Sequence, residues 1–332
     1  MNAMEGTAGG QHVRHVWADF IQRRDGLDLD GKVSLSRKLI REWYEAHDGQ
    51  VFVSVSGGLD STVLAHLVRT VRKGVPFVYF DSPLEFPENR RQCQAMGAEI
   101  VRSHVAAQTV LQRYGYPVAS KLIAQYVSEV QRAMGDTPTK RRRLTGINSA
   151  GRYSRMSRIP ARWLFLCDAP FPVSDRCCLV YKKRPSAQYV RQSGRAPFLG
   201  TRAEEGNQRL QAWYLHGCNA FDVRHPRSTP LAWWTHEDVW AYVRGEGLTY
   251  SALYDRGYQR SGCMFCMFGC HLDNCERFRL LAETHPKVYR HCMETLGCRD
   301  VLDYVFDHLG GSGSLPFGAP IPRLPSWEAR RP

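Results

Sequence analysis

Two groups of side chains in this sequence have the types and spacing to do chemistry. The first is a set of thiols: Cys177-Cys178 and, beyond the 84 residues 179–262, Cys263-Met-Phe-Cys266. A Cys-x-x-Cys pair presents two thiolates to one metal centre, and an adjacent pair does likewise where the chain bends, so four thiolates are on offer. Lys182 and Lys183 follow soon after, where a cation favours the more negative form of an anionic tetrathiolate centre. Cys263, Cys266, Cys270, His271 and Cys275 are also close enough in sequence for a local zinc knuckle, and Cys270 or Cys275 could replace Cys177 as a ligand. Cys93, Cys167, Cys218, Cys292 and Cys298 read as buried structural thiols.

The second group is Ser56-Gly-Gly-Leu-Asp-Ser61. Gly57 and Gly58 let the backbone turn sharply and approach a ligand closely. Asp60 and Ser61 are good helix-starting residues, so free N–H groups at a helix N-terminus are aimed at whatever sits above the turn, a geometry that suits phosphate. Neither Gly-x-x-x-x-Gly-Lys nor Gly-x-Gly-x-x-Gly is present in this stretch.

Positioning that turn requires a strand before it and a helix after it. Val51–Val55 is β-branched, aromatic or small throughout and reads as a buried strand; the helix spans 60–73 and a second buried strand 75–80. This β-α-β unit predicts a parallel sheet with ligands at the carboxyl ends of its strands. Asp81 and Glu85 leave the second strand's end and are therefore expected near a nucleotide, while also capping a helix at 88–96. Further strands are expected at 99–103 and 196–200, the latter running into Gly200-Thr-Arg-Ala-Glu-Glu205. Helices are expected at 13–24, 36–46, 106–113, 121–133 and across 275–309. Thr229–Trp234 reads as extended. Thr235 and Asp238 form a box-like cap for a helix packing Trp234, Val239, Trp240 and Val243 on the body. Residues 1–12 and 310–332 read as loose ends.

The chain of 332 residues divides on this reading into an N-terminal helical extension (1–47), a nucleotide-binding α/β domain (48–248) with a basic insertion (137–167), a Cys-rich helical region (249–310) and a tail (311–332). No apolar run is long enough to span a membrane and no export signal is visible, so a cytoplasmic protein with thiols rather than disulfides is expected. Lys and Arg exceed Asp and Glu by 13, and the stretch from Thr137 to Cys167 holds Lys140, Arg141, Arg142, Arg143, Arg152, Arg155, Arg158 and Arg162 with no acid among them. Such a cluster attracts polyanions, with nucleic acid as the expected partner.

The Ser56–Ser61 turn resembles the pyrophosphate loop of the N-type ATP pyrophosphatases and of the phosphoadenosine phosphosulfate reductases grouped with them. Asp81–Glu88 resembles the reductases' Asp-Thr-Gly-x-Glu-Phe-Pro-Glu, with Ser82 and Pro83 in place of Thr-Gly. Gly200–Glu205 resembles their Gly-x-Arg-x-x-Glu, and the cysteine spacing resembles the [4Fe–4S] signature of adenylyl-sulfate reductases. The likeness covers about residues 48–310. It implies an α/β fold of the adenine-nucleotide alpha-hydrolase (HUP) type, a doubly wound parallel sheet with a helical C-terminal extension carrying a cysteine metal site.

Carried onto this sequence, the resemblance implies that Ser56, Gly57, Gly58, Asp60, Ser61, Asp81, Glu85, Gly200 and Arg202 bind ATP, with Asp60 either orienting the loop or acting through Mg²⁺ on the pyrophosphate leaving group. Asp60, Ser61 and Arg202 take the catalytic roles, and Cys177, Cys178, Cys263 and Cys266 hold a [4Fe–4S] cluster, zinc being the rival. The reductases' terminal Glu-Cys-Gly-Leu-His has no counterpart in Ser326-Trp-Glu-Ala-Arg-Arg-Pro332. That difference directs the reading to the sulfurtransferase branch, which includes a component of DNA phosphorothioation and phage relatives. The expected function is thus ATP-dependent adenylylation of an acceptor, with nucleic acid as the expected one, followed by sulfur transfer from a cysteine desulfurase or other donor. The alternatives are an adenylyl-sulfate or phosphoadenylyl-sulfate reductase, and a nucleotide-sensing regulatory module. A homo-oligomer is compatible with this reading.

Overall fold

The computed structural model describes residues 8–310, with the backbone alone for 8–16. Up to the middle of the chain the order is α1 (Ala8–Asp25), α2 (Leu29–Ala46), β1 (Val51–Val55), α3 (Leu59–Val71), β2 (Phe77–Asp81), α4 (Pro87–Ala95), β3 (Glu99–Arg102), α5 (Ala107–Tyr114), β4 (Val118–Ala119), α6 (Lys121–Gln131) and α7 (Pro138–Thr145). Then come α8 (Arg176–Cys178), α9 (Arg184–Ser193), β5 (Ala196–Leu199), α10 (Asn207–His216), β6 (Asn219–Ala220), β7 (Arg227–Ser228) and α11 (His236–Gly245). The last elements are β8 (Met267–Phe268), α12 (Glu276–Thr284), α13 (Pro286–Arg290) and α14 (Cys298–His308). No described helix is long and apolar enough to cross a membrane.

The chain divides into two compact units that interleave along the sequence. One takes Met1–Asp81, Pro87–Arg102 and Ser186–Tyr254; the other takes Ser82–Phe86, Ser103–Pro185 and Asp255–Pro332. They are called the sheet unit and the thiol unit below.

The sheet unit is built on six strands in the order β3-β2-β1-β5-β7-β6. Side-chain alternation explains why both faces are covered. Val51, Val53 and Val55 with Phe77 and Tyr79 join Val63, Leu67, Trp234, Val239 and Val243 in one core. Phe52, Val78 and Phe80 point the other way, with Tyr189 and Val190 of α9 packed on them. Strands β1, β2, β3, β5 and β7 pair in parallel, whereas β6 pairs antiparallel with β7. The sheet is therefore mixed rather than wholly parallel, because the link of residues 221–226 is too short for a crossover.

Several boundaries differ from the sequence reading. Residues 8–12, expected to be loose, are helical, while the expected tail at 311–332 lies outside the described residues. Helix α2 starts seven residues earlier than Ser36, where the Asp28 side chain accepts from the Gly31 N–H at 2.8 Å. Thr229–Trp234 is a turn after the short β7, not a strand. The cap at Thr235 is as expected: Thr235 Oγ1 accepts from Asp238 N at 3.1 Å and the Asp238 carboxylate accepts from Thr235 N at 2.7 Å.

The thiol unit is mainly helical, with a two-stranded parallel pairing of β4 and β8. Its basic stretch contains α7, capped by Thr137 and closed at Gly146 in the left-handed region. Arg143 is buried and donates to Glu129 at 2.6 Å, while Arg141, Arg142, Arg152, Arg155 and Arg162 are exposed.

Candidate phosphate loop and thiol site

In the sheet unit β1 lies between β2 and β5, so the chain leaves β1 toward one side and returns on the other. That is the switch point at which open α/β sheets bind ligands. Residues 56–61 leave the carboxyl end of β1 and residues 200–205 leave that of β5, with Ser54 and Leu199 in register. Gly57 has φ +74°, and a Cβ there would lie 2.6 Å from the Asn89 carbonyl oxygen, so the turn needs glycine twice over. A Cβ on Gly200 would meet the backbone of Asp60 and Ser61 at 3.0 Å, which lets the β5 loop lie directly on the start of α3.

The turn is tied together by hydroxyls. Ser56 N–H donates to Ser61 Oγ at 3.1 Å, Ser61 Oγ donates to the Gly58 carbonyl at 2.9 Å, and Leu59 N–H donates to Tyr254 Oη at 3.1 Å. Hydroxyl partners can rotate away, so these amides can exchange them for ligand oxygens. Arg202 is 7% exposed and donates from Nε to Asp60 Oδ1 at 2.7 Å, and it also pairs with Glu204. Asp60, Ser61 and Arg202, expected to act together, are thus brought together across 142 residues of chain.

Asp81 is buried and accepts two bonds from Arg90, at 2.9 and 3.0 Å. This fork fixes the carboxylate at the end of β2. A residue the sequence reading missed is Asn89, fully buried next to Gly57, whose side-chain amide nitrogen and oxygen both find no partner in the structure. No spacing marks it; its significance comes from burial. A cavity of about 220 Å³ in the same unit has Thr201, Arg202, Arg209 and Arg227 in its wall and none of residues 56–61.

Glu85, expected beside the nucleotide, belongs to the thiol unit. It is buried, pairs with Lys182, and accepts from Ser82 Oγ at 3.0 Å and from Cys263 Sγ at 3.4 Å. The four thiols of the sequence reading fall within electrostatic reach of one another here. A hydrogen bond with Cys177, together with the charges of Lys121 and Lys182, brings Cys178 down to about 6 against the opposing effect of burial. Cys177 is driven upward by the same bond, by burial, and by the charges of Cys178, Cys266 and Cys263. Burial likewise raises Cys263 and Cys266, with Lys182 and Arg277 respectively opposing it. Arg277 Nη1 also donates to the Cys266 carbonyl at 2.9 Å. Among the described residues, no three Cys, His, Asp or Glu side chains converge as a single bound ion requires.

An open α/β sheet with a phosphate-type turn at its switch point defines a nucleotide-binding class of protein. The particular family follows from comparison: the phosphoadenosine phosphosulfate reductase domain model matches residues 50–135 and 153–268, and the chain belongs to that family. An adenosine 5'-phosphosulfate reductase of Staphylococcus epidermidis is 22% identical over 241 residues, 72% of this chain and 79% of the relative. The solved phosphoadenylyl-sulfate reductase of Candida auris gives a TM-score of 0.39 at 14% identity, covering 79% of this chain and 98% of its own. The U34-tRNA thiolase NcsA of Methanococcus maripaludis gives 0.38 at 12%, covering 85% and 83%.

The family match and the named relative overturn the sulfurtransferase reading. The assignment to the ATP-pyrophosphatase and phosphorothioation branch, the adenylylation of a nucleic-acid acceptor, and the use of an iron–sulfur cluster for that purpose all fall with it. The reason is that the missing Glu-Cys-Gly-Leu-His was set against a likeness that runs through both units. The match spans the Ser56–Ser61 turn, both cysteine pairs and Gly200–Glu205.

Proposed function

We propose that the chain performs reductase chemistry on adenylyl sulfate or its 3'-phosphorylated form. The observation that carries this reading is the reach of the family match, which takes in the phosphate-type turn and the Cys177, Cys178, Cys263 and Cys266 positions together. Adenylyl sulfate then replaces ATP as the nucleotide. Amides of the 56–61 turn and the α3 N-terminus hold its phosphate, and the half-buried Asp60 carboxylate fixes the Arg202 guanidinium as a positive group of the site.

The reaction needs two electrons, supplied by a dithiol such as thioredoxin. A thiolate attacks the sulfate sulfur, an S–S bond forms, the bond from sulfur to the bridging oxygen breaks, and the nucleotide leaves, as AMP from adenylyl sulfate or as adenosine 3',5'-bisphosphate from the 3'-phosphorylated form. The second thiol then attacks the resulting thiosulfonate, releasing sulfite and leaving a disulfide. Arg202 and the turn's amides would stabilise the negative charge on the departing phosphate.

The donor set of Cys177, Cys178, Cys263 and Cys266 fits a metal centre by its chemistry: four buried or half-buried thiols, one already favoured as thiolate, beside Lys182 and Arg277. Such a centre, once bound, would supply a crosslink between the two chain segments and a net negative charge that Lys182 and Arg277 would balance. Iron, zinc and labile-sulfide analysis decides between the two metals expected from the sequence.

The test of the function is sulfite release from each nucleotide with thioredoxin and its reductase. Sulfite is expected in equal amount with the nucleotide released, AMP from adenylyl sulfate or adenosine 3',5'-bisphosphate from the 3'-phosphorylated form. No sulfite above the protein-free rate with either nucleotide, from protein that binds adenylyl sulfate, would count against the reading.

A further inference from the structure

The cavity of about 220 Å³ in the sheet unit has no part in the nucleotide site described above, apart from Arg202 in its wall. It lies beyond the carboxyl end of β5, where Leu199, Thr201 and Arg202 meet α10 and the hairpin of β6 and β7. We infer that this cavity is a binding site for a tetrahedral oxyanion of the phosphate or sulfate type, separate from the 56–61 turn.

The hairpin delivers Arg227 to the wall. Arg227 stands opposite Ala220 in the β6–β7 register, and its neighbour Ser228 is fully buried, with Oγ donating to Asn219 Oδ1 at 2.6 Å. Successive strand residues face opposite ways, so fixing Ser228 on one face commits Arg227 to the other, the cavity side. The Cys218 carbonyl accepts from both the N–H and the Oγ1 of Thr229, at 2.8 and 3.1 Å. This closes the base of the hairpin and holds Thr229 in the wall beside Arg227. Arg202 reaches the cavity from the loop after β5 and Arg209 from the first turn of α10.

The wall thus carries three guanidinium groups and, among the described residues, no Asp or Glu. Two of the three are already balanced: Arg202 pairs with Asp60 and Glu204, and Arg209 pairs with Glu205. No carboxylate among the described residues pairs with Arg227, whose Nη1 donates to the His225 carbonyl at a long 3.3 Å. Arg227 is therefore the uncompensated charge of the cavity, and a guanidinium fork matches the oxygens of an oxyanion. Leu199, Ala212 and Trp213 line the remainder, so an ion there is partly withdrawn from water, where charge-assisted bonds are stronger. The volume lies below the roughly 300 Å³ at which pockets for drug-sized ligands begin, which suits a small ion rather than a nucleotide. Guanidinium groups and the hydroxyls of Thr201 and Thr229 come from several sides, which four tetrahedral oxygens answer better than the flat edge of a carboxylate.

This inference does not rest on the reductase reading. Its test is titration of the full chain with sodium phosphate, sulfate and acetate at constant ionic strength, read by tryptophan fluorescence, to which Trp213 in the wall contributes, and by the shift of the thermal midpoint. Wild type should give a saturable change with phosphate or sulfate, and the tighter of the two names the source of the oxyanion. Arg227→Met should weaken that binding at least about tenfold, and Arg227→Lys by less, because the charge stays while the fork is lost. None of residues 56–61 lines the cavity, so loss of binding in Arg227→Met places the ion there and not at the turn. No saturable change with phosphate or sulfate, acetate binding as tightly as either, or wild-type affinity in Arg227→Met overturns the inference. Should Arg227→Met fail to fold, Arg227→Lys takes its place, and wild-type affinity in that variant overturns it instead.

Discussion

The two units hold their chemistry in opposite ways. In the sheet unit the candidate phosphate site is made by backbone shape and closed ion pairs: Gly57 under Asn89, Gly200 against Asp60, Arg202 on Asp60 and Arg90 on Asp81. In the thiol unit it is made by side chains whose protonation is unsettled, with Cys177 pushed up and Cys178 pushed down by one shared hydrogen bond. The first kind of site is pre-organised and intolerant of added volume. The second depends on the charge balance of its side chains, and its weak points are single charges. Each half of this contrast can be broken by a different substitution.

The largest effect is expected at Gly57. An alanine there must adopt φ +74° and place a methyl 2.6 Å from a backbone oxygen. We expect Gly57→Ala to cost about 4 kcal/mol in urea denaturation and to abolish adenylyl-sulfate binding in calorimetry. A stable variant that binds normally would show that the turn is adaptable and remove the contrast.

Next comes Arg202→Met, which leaves the Asp60 carboxylate without its guanidinium. Breaking a buried pair by removing one partner costs about 3 kcal/mol, and somewhat less here because the Asp60 side chain is 24% exposed. Asp60→Asn in the same chain should restore most of the stability but not sulfite production. Recovery of both would mean that Arg202 is a structural residue alone.

How much of this was legible in the sequence follows the same divide. The turn and its strand and helix were readable because their signals are local: five strand formers, two glycines and a helix start in twelve residues. The start of α2 was not, because Lys32 and Ser36 are buried polar residues serving partners about 200 positions away, Lys32 on Asp238 and Ser36 on Trp234 Nε1 and the Pro230 carbonyl. They break the apolar pattern that marks a buried helix face. The partners of Glu85 were not legible because five residues, Ser82–Phe86, belong to the thiol unit although the elements on either side of them belong to the sheet unit. Asn89 was invisible since a buried amide without partners has no signature in one dimension. The function went astray on a single absent motif, although the Ser56–Ser61 turn, Asp81–Glu88, Gly200–Glu205 and the cysteine spacing all pointed to the reductase family.

In the thiol unit the corresponding weak point is Lys182, which pairs with a Glu85 side chain that is 4% exposed. Lys182→Met should cost about 2 kcal/mol of thermal stability by leaving that carboxylate buried without its cation, and Glu85→Gln in the same chain should recover part of it. If metal content also falls in the single variant and returns in the double, the charge balance around Cys263 is set by this pair. A change in stability with unchanged metal would place the pair outside the thiol site.

The smallest effect is expected at Asp238, in the scaffold of the sheet unit and away from both sites. Burial pushes its carboxyl up, but the Lys32 ammonium at 2.6 Å and the amide and hydroxyl of Thr235 pull it below the ordinary 3.8 on balance. A carboxyl lowered in the folded state contributes stability above its unfolded value, and that contribution is lost as pH falls through the folded one. Asp238→Asn should therefore destabilise by about 1 kcal/mol at neutral pH, and the gap to wild type should close as the pH is taken below the unfolded carboxylate range. A gap that stays constant from neutral pH to strong acid would mean that the asparagine disturbs the Thr235 cap rather than the charge. It would then be the cap that anchors α11 to the sheet.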